Sequence, residues 1–154
     1  MPTALRQSIA ELSSRLRSRF SISPASSERP HLALGERGEK LACKYLRQRG
    51  CKILYRNYRA RRGGEVDIVC RDGDTLAFVE VKTRSNDDYR RPLDAVNAAK
   101  RKLIIRGALA WLQLLDNPDI LFRFDVVEIV IAPGKQPRFE LVQNAFQLPE
   151  RVMY

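Results

Sequence analysis

Histidine is nearly missing from this sequence, and cysteine is sparse. The one histidine, His31, stands alone in a linker-like stretch, and the three cysteines, Cys43, Cys51 and Cys70, form no Cys-x-x-Cys pair. A zinc site is therefore not expected, and any metal here would have to be held by oxygen ligands. An odd number of cysteines cannot close into a disulfide framework, so a reduced, cytoplasmic setting is the simpler expectation. No apolar run approaches the ~20 residues that a membrane-spanning helix needs. Acids are in deficit as well: 18 Asp+Glu stand against 28 Lys+Arg, which leaves a net charge of +10. Such an imbalance favours polyanionic partners, nucleic acid being the commonest, and says nothing about fold. What remains, 44% hydrophobic and 30% charged residues over 154 positions, is ordinary for one soluble domain with a core of its own.

The first thirty residues stand apart. Leu5, Ile9, Leu12, Leu16 and Phe20 recur at helical spacing among Arg6, Arg15, Arg17 and Arg19, which predicts a short basic helix that docks on the domain or frays. It lacks the continuous apolar core of a secretory signal. Its Arg- and Ser-rich, acid-poor character is shared with organelle transit peptides, but it reads first as an N-terminal extension. Ser21–Pro30 follows as a linker. Two segments are thus expected: 1–31, extension and linker, and 32–154, the domain.

Within the domain, a helix should run from the Leu34–Gly38 region to about Arg49, burying Leu41, Ala42, Tyr45 and Leu46, with Gly50 as its stop. A strand over Cys51–Arg56 leads into a basic stretch ending at Arg62. Glu65–Arg71 and Thr75–Thr83 read as a hairpin around Asp72-Gly73-Asp74. A polar loop, Asn86–Arg91, precedes a second helix opened by Pro92 or Asp94, lasting to about Leu115 and stopped by Asn117-Pro118. Its apolar positions include Val96, Ala99, Leu103, Ala108, Leu112 and Leu115. Strands follow at Phe122–Ile131 and, shorter, at Arg138–Val142. This order is that of an α/β fold with a central mixed sheet flanked by helices.

The chemistry concentrates in the hairpin. Along Thr75–Thr83, Phe78, Glu80 and Lys82 share one face while Ala77, Val79 and Val81 share the other. In the partner strand Glu65 and Asp67 share a face, opposite to Val66 and Ile68. A turn on Gly73-Asp74 would set Asp67 opposite Glu80 and Glu65 opposite Lys82, with glycine first as a type II′ turn requires. Two opposed carboxylates repel by ~0.2–1 kcal/mol, more if desolvated, and a divalent cation compensates them. Mg²⁺ typically takes one or two carboxylates plus waters and phosphate oxygens. A lysine beside it can orient a water or stabilise charge on a phosphate in transfer, and the cation lowers the pKa of bound water. The plain alternative is that Lys82 only neutralises Glu80 or Glu65 on a solvent-facing edge. The apolar neighbours Val66, Ile68, Phe78, Val79 and Val81 argue for central strands instead, where charges are more often functional.

Several motifs occur in order: Gly35-x-x-Gly38-Glu39-x-x-Ala42, Arg56-Asn57-Tyr58, Gly64-Glu65-Val66-Asp67, Phe78 to Arg84 (FVEVKTR), Phe124-Asp125-Val126-Val127 and Asn144-Ala145-Phe146. Together they resemble the YraN-like bacterial family over roughly residues 32–146, and the combination is specific where any one motif would be weak. By resemblance that family belongs to the restriction-endonuclease-like PD-(D/E)xK superfamily, near the archaeal Holliday-junction resolvases. The resemblance implies a restriction-endonuclease-like fold and a Mg²⁺- or Mn²⁺-dependent nuclease that hydrolyses the DNA backbone, branched or structured DNA included. It implies Asp67 and Glu80 as metal ligands, Lys82 as the catalytic lysine and Glu39 as a further acid facing the metal. Glu36, three residues earlier on nearly the same helical face, competes with Glu39. Val66 departs from the superfamily, where proline often precedes the aspartate.

The remaining residues carry weaker signals. Arg59, Arg61 and Arg62 form a basic run leading into the acids and could track phosphates. Lys100 and Arg101, with Lys102 and Arg106, are either nucleic-acid contacts or a solvated helix face. Tyr58, Tyr89 and Trp111 read as packing before base stacking. Asp125 reads first as the ion-pair partner of Arg123, Gly107 as a site of close packing, and Glu65 as either a member of the site or a holder of Lys82. The expected function is a nuclease. The rivals are a non-catalytic nucleic-acid-binding module and an interaction protein of a DNA-processing complex. A two-fold homodimer would suit a junction substrate.

Overall fold

A computed structural model describes residues 7, 9–12, 14–15, 30–85, 96–115 and 119–150. Its elements run α1 (Pro30–Gln48), β1 (Lys52–Arg59), β2 (Glu65–Asp72), β3 (Thr75–Arg84), α2 (Ala98–Gln113), β4 (Leu121–Val130) and β5 (Arg138–Phe146). The strands make one five-stranded mixed sheet in sequence order. Only β3 and β4 are parallel, and α2 lies in the crossover that such a pair requires.

Strand alternation sorts the apolar residues into two cores. Ile68, Cys70, Ala77, Val79, Val127 and Ile129 pack with Ala42, Cys43 and Leu46 of α1. Val69, Leu76, Phe78, Phe124 and Val126 face Ile104, Ala108 and Trp111 of α2. β3 is the middle strand and is covered on both faces, which explains its near-continuous apolar run. Ile9, 2% exposed, belongs to the α2-side core, and Leu12 packs against it, so part of the N-terminal segment docks on the domain. Leu5, Leu16, Phe20 and residues 21–29 of the expected Ser21–Pro30 linker lie outside the described residues.

The hairpin register is as expected from its turn. Ile68 pairs with Val79, Cys70 with Ala77 and Asp72 with Thr75. Gly73 has φ +57 while Asp74 does not enter the positive region, which is the type II′ pattern.

Several expectations need correction. α1 begins at Pro30, ahead of the expected Leu34–Gly38 start, so Pro30 and His31 belong to a helix and not to a linker, and β1 runs on to Arg59 instead of ending at Arg56. The second helix begins at Ala98, not at Pro92 or Asp94, which lie outside the described residues. Asn97 caps it, its side chain accepting the Lys100 N–H at 2.9 Å. The buried stripe of that helix is Ile104, Ile105, Gly107, Ala108 and Trp111, so Ala99 faces out. The last strand extends to Phe146, whose ring stacks on Phe124 at 4.8 Å. Asn117-Pro118 falls outside the described residues.

Helix and sheet approach closely at two points. A Cβ on Gly38 would fall 1.8 Å from Thr83 Oγ1, so α1 crosses the end of β3 with only the Thr83 side chain between, and Glu39 follows at that crossing. On the other face, Gly107 of α2 lies directly over Glu65 and Val66, where a Cβ would meet Val66 Cγ2 at 2.9 Å. Close packing at Gly107 is therefore as the sequence suggests. Among the described residues, no helix is long and apolar enough to cross a membrane.

Candidate functional site

Where the ladder between β2 and β3 ends, the charged residues begin. The last paired level is Ile68–Val79. One residue further, Val81 N–H donates to Asp67 Oδ2 at 2.8 Å, so a carboxylate takes the place of a strand carbonyl. Across β1, Asn57 lies opposite Asp67 with φ +53, between the pairs Arg56–Ile68 and Tyr58–Val66, while the β1–β2 register shift itself falls between Ile53 and Tyr55. Ile68 belongs to the α1-side core, yet Val66 belongs to the α2-side core, where strict alternation would have put both on one side. The expectation that Val66 and Ile68 share a face is thus overturned.

Asp67 consequently stands between two groups of charges. On the α2 side, Glu80 is 2% exposed on the middle strand. Lys82 Nζ is 2.9 Å from Glu80 Oε1, and Lys100 Nζ, from the first turn of α2, is 3.4 Å from Oε2. Lys100 also hydrogen-bonds Glu65, which lies 3.5 Å from Arg59 Nη1. On the α1 side, Glu39 Oε2 accepts from Asn57 Nδ2 at 2.8 Å and is 3.8 Å from Arg56 Nη2. The structure therefore brings together Asp67, Glu80 and Lys82. Glu39 stays within electrostatic reach of Asp67 but is turned to Asn57 and Arg56. Glu36 is exposed on the same helix. The expected pair Glu65–Lys82 is not made: the β2–β3 ladder ends at Ile68–Val79, short of the level on which that pair depended, and Glu65 holds Lys100.

Burial dominates the titration of these acids. Desolvation, with the Asp67 charge second, pushes Glu80 from 4.5 up to about 7 against the pull of Lys82 and Lys100. Desolvation, the Asp67 charge and Glu36 also raise Glu39, against its bond to Asn57 and the charge of Arg56. Glu65 is lowered, first by its hydrogen bond to Lys100. Burial pulls the Lys100 ammonium down, but the bond to Glu65 and the charges of Glu80 and Asp67 outweigh it and leave it raised.

A stability prediction follows for the metal-free protein. With its folded value above its ordinary one, Glu80 keeps a proton that the unfolded chain releases. Its contribution therefore favours folding at low pH and is lost as pH rises from about 4.5 to about 7. Glu80→Gln should remove that slope and be more stable than the parent above about pH 7, by on the order of 2 kcal/mol. Melting both proteins across pH in chelator checks this, and a difference that does not change with pH would contradict it.

Among the described residues, no three His, Cys, Asp or Glu side chains are grouped to hold an ion. A pair suffices for Mg²⁺, which keeps several waters. Glu80 Oε2 is buried and accepts no hydrogen bond, an orphan that a cation would satisfy. Asp67 and Glu80 thus fit a hard divalent ion, with Glu39 not placed as a third ligand.

The basic residues divide. Arg61 and Arg62 are exposed at the tip of the β1–β2 hairpin, closed by Ala60 N–H to Gly64 C=O at 2.9 Å, and Arg59 is 80% exposed beside Glu65. Exposed Arg106 reaches the same loop, 3.9 Å from where a Cβ on Gly63 would sit. Lys100 points into the acids instead of toward solvent. Arg101 binds the Val96 carbonyl at 2.9 Å and lies over the Phe146 ring. Lys100 and Arg101 are thus both engaged by partners within the protein.

The secondary assignments hold with named partners. Arg123 Nε bonds Asp125 at 3.0 Å, and Asp125 also accepts the Asn144 N–H at 2.9 Å, a structural ion pair. Tyr58 and Trp111 pack edge to face at 5.2 Å inside the core. Tyr89 lies outside the described residues. The three cysteines are free thiols, and all are buried.

Comparison with known proteins adds the family. Residues 38–129 match the model of the family described as "Uncharacterised protein family UPF0102". The chain belongs to the UPF0102 family, the YraN-like family of the sequence resemblance. A UPF0102 protein of Geobacter metallireducens is 47% identical over 116 residues, covering 75% of this chain and 93% of its own length. One of Geobacter sulfurreducens is 50% identical over 115 residues, with 75% and 89% covered. One of Nocardia farcinica is 45% identical over 114 residues, with 74% and 89% covered. The matched region contains Glu39, Asn57, Asp67, Glu80, Lys82 and Lys100, so every one of these site residues lies within the family match.

Proposed function

We propose that this UPF0102 protein is a Mg²⁺- or Mn²⁺-dependent nuclease of restriction-endonuclease-like fold that hydrolyses the DNA backbone at Asp67, Glu80 and Lys82. The observation that carries the reading is Glu80. It is a carboxylate buried on the middle strand, with an oxygen that accepts no hydrogen bond, next to a second carboxylate that has broken the sheet ladder. Proteins do not bury such a carboxylate for stability, since a buried charge with an unsatisfied oxygen costs several kcal/mol even beside a cation. A perturbed, desolvated carboxylate such as Glu80 beside a lysine is the usual mark of a site.

The chain's own residues then divide the work. Asp67 is fixed by the Val81 N–H, and Glu80 by the rigidity of β3, so both present oxygen at one end of the sheet. A divalent cation bound there would lower the pKa of its water and neutralise phosphate charge. Lys82, 29% exposed and tied to Glu80, keeps its ammonium where it can orient a water or meet charge that builds on phosphate. Arg59, Arg61 and Arg62, with Arg106, offer donors to the flanking backbone. A cytoplasmic setting suits the three free thiols, and a two-fold dimer would suit paired cuts in a branched substrate.

The test is a panel of branched, duplex and single-stranded substrates with Mg²⁺, Mn²⁺ or EDTA. Cleavage should require Mg²⁺ or Mn²⁺ and stop in EDTA, while binding falls with salt by roughly −0.9 in log–log slope per duplex phosphate neutralised. Replacing Arg59, Arg61 and Arg62 by alanine should flatten that slope. Cleavage that persists in excess EDTA overturns the metal mechanism. Salt-dependent binding with no cleavage of any substrate makes the chain a non-catalytic nucleic-acid-binding module.

A further inference from the structure

Lys100 is the cation that the proposed chemistry does not use. It arrives from α2, 35 residues beyond its hydrogen-bond partner Glu65, and its side chain is only 21% exposed. Its position is fixed at both ends. Asn97 Oδ1 holds its backbone N–H at 2.9 Å, and its ammonium bonds Glu65 while standing 3.4 Å from Glu80 Oε2. That oxygen still accepts no hydrogen bond, so the ammonium offers it charge without satisfying it. Asp67 also acts on Lys100 electrostatically. The site therefore contains two kinds of lysine: Lys82, hydrogen-bonded to Glu80, and Lys100, bonded elsewhere and leaning on Glu80's orphan oxygen.

We propose that Lys100 is a built-in counter-ion that holds the place beside Glu80 Oε2 and Asp67 until a divalent cation displaces it, with Glu65 as the latch that receives the ammonium. The inference rests on the metal-dependent reading and adds a control on loading. A buried Glu80 beside a half-buried Asp67 would be strongly unfavourable without any cation, and one ammonium offsets part of that repulsion. A flexible four-carbon stem lets the same group move aside without backbone change. Glu65 lies nearer solvent than Glu80 and keeps the ammonium bound after it leaves. The result is a site whose affinity for metal is limited by competition from its own side chain.

Mn²⁺ binding to metal-stripped protein, followed by electron paramagnetic resonance and calorimetry at about pH 8, where Glu80 is ionised, tests this directly. Lys100→Met keeps the length and removes the charge; Lys100→Arg keeps the charge. At this separation a unit charge changes the affinity for a doubly charged ion by well over tenfold before screening. Lys100→Met should therefore bind Mn²⁺ at least about tenfold more tightly than the parent, and Lys100→Arg no more tightly than the parent. Lys100→Gln serves if Lys100→Met melts early. A parent that binds Mn²⁺ as tightly as the uncharged variants overturns the counter-ion inference alone. If neither the parent nor any variant binds Mn²⁺, the inference and the metal-dependent reading both fall. A parent that binds poorly beside a variant that binds well supports both.

Discussion

Lys82→Ala and Glu80→Gln are each expected to leave the protein folded and bound to DNA while cleavage falls by about 10²–10³. Under the proposed mechanism the two act at one place: Lys82 Nζ lies 2.9 Å from Glu80 Oε1, so each defines the position of the other. Glu80→Gln keeps the shape of the side chain and removes the charge that a cation needs. Lys82→Ala leaves both carboxylates and removes the group that meets phosphate charge. DNA binding should hold or improve in Glu80→Gln, because one negative charge near phosphate is gone. The double variant should be little slower than the worse single one, since groups that act as a unit are not additive. Single-turnover cleavage with a filter-binding control separates the two effects. If both variants cut as fast as the parent, the chemistry does not happen at this site.

Much of this geometry is legible in local sequence, and the rest depends on contacts that no local pattern encodes. Gly73 first in the turn is enough to set Ile68 opposite Val79, and period-two alternation is enough to put Phe78, Glu80 and Lys82 on one face. Both are short-range consequences of backbone geometry. The reading fails at Asp67, just beyond the last β2–β3 pair Ile68–Val79, where Val66 and Ile68 enter different cores opposite the left-handed Asn57. Asn tolerates that conformation better than most residues, but nothing within β2 announces it. The Glu65–Lys82 pair was expected from unbroken alternation and is replaced by Glu65–Lys100. Lys100 itself looks like one of several bases on an exposed helix. Its part in the site is set by where α2 seats on the sheet, a tertiary fact. The signal that could have found it is Asn97 three residues earlier, which as an N-cap starts the helix there and aims its first turn at the acids.

That seat is the subject of the second large effect: Gly64→Ala should destabilise the protein by about 2–4 kcal/mol. Gly64 has φ +113, a conformation that L side chains rarely adopt. A Cβ there would also fall 2.6 Å from Gly107 N and 2.9 Å from Arg106 C, both backbone atoms of α2 that cannot turn aside. The helix must therefore lift from the start of β2 or the chain at Gly64 must refold, and either loses packing along the Ile104, Ala108 and Trp111 stripe. For a chain of this length the loss corresponds to roughly 5–15 °C in melting temperature. Gly35→Ala is the control of opposite sign. It lies inside α1 with nothing within 4 Å of a new Cβ, so it should stabilise by about 0.5–1 kcal/mol. Lys100 sits two helical turns from Gly107, about 10 Å along the axis, so a lifted helix also carries its ammonium away from Glu65 and Glu80. Thermal melting read beside Mn²⁺ affinity tests both consequences. A Gly64→Ala protein that melts within about 2 °C of the parent would mean that the contact between β2 and α2 yields freely and does not set the position of Lys100.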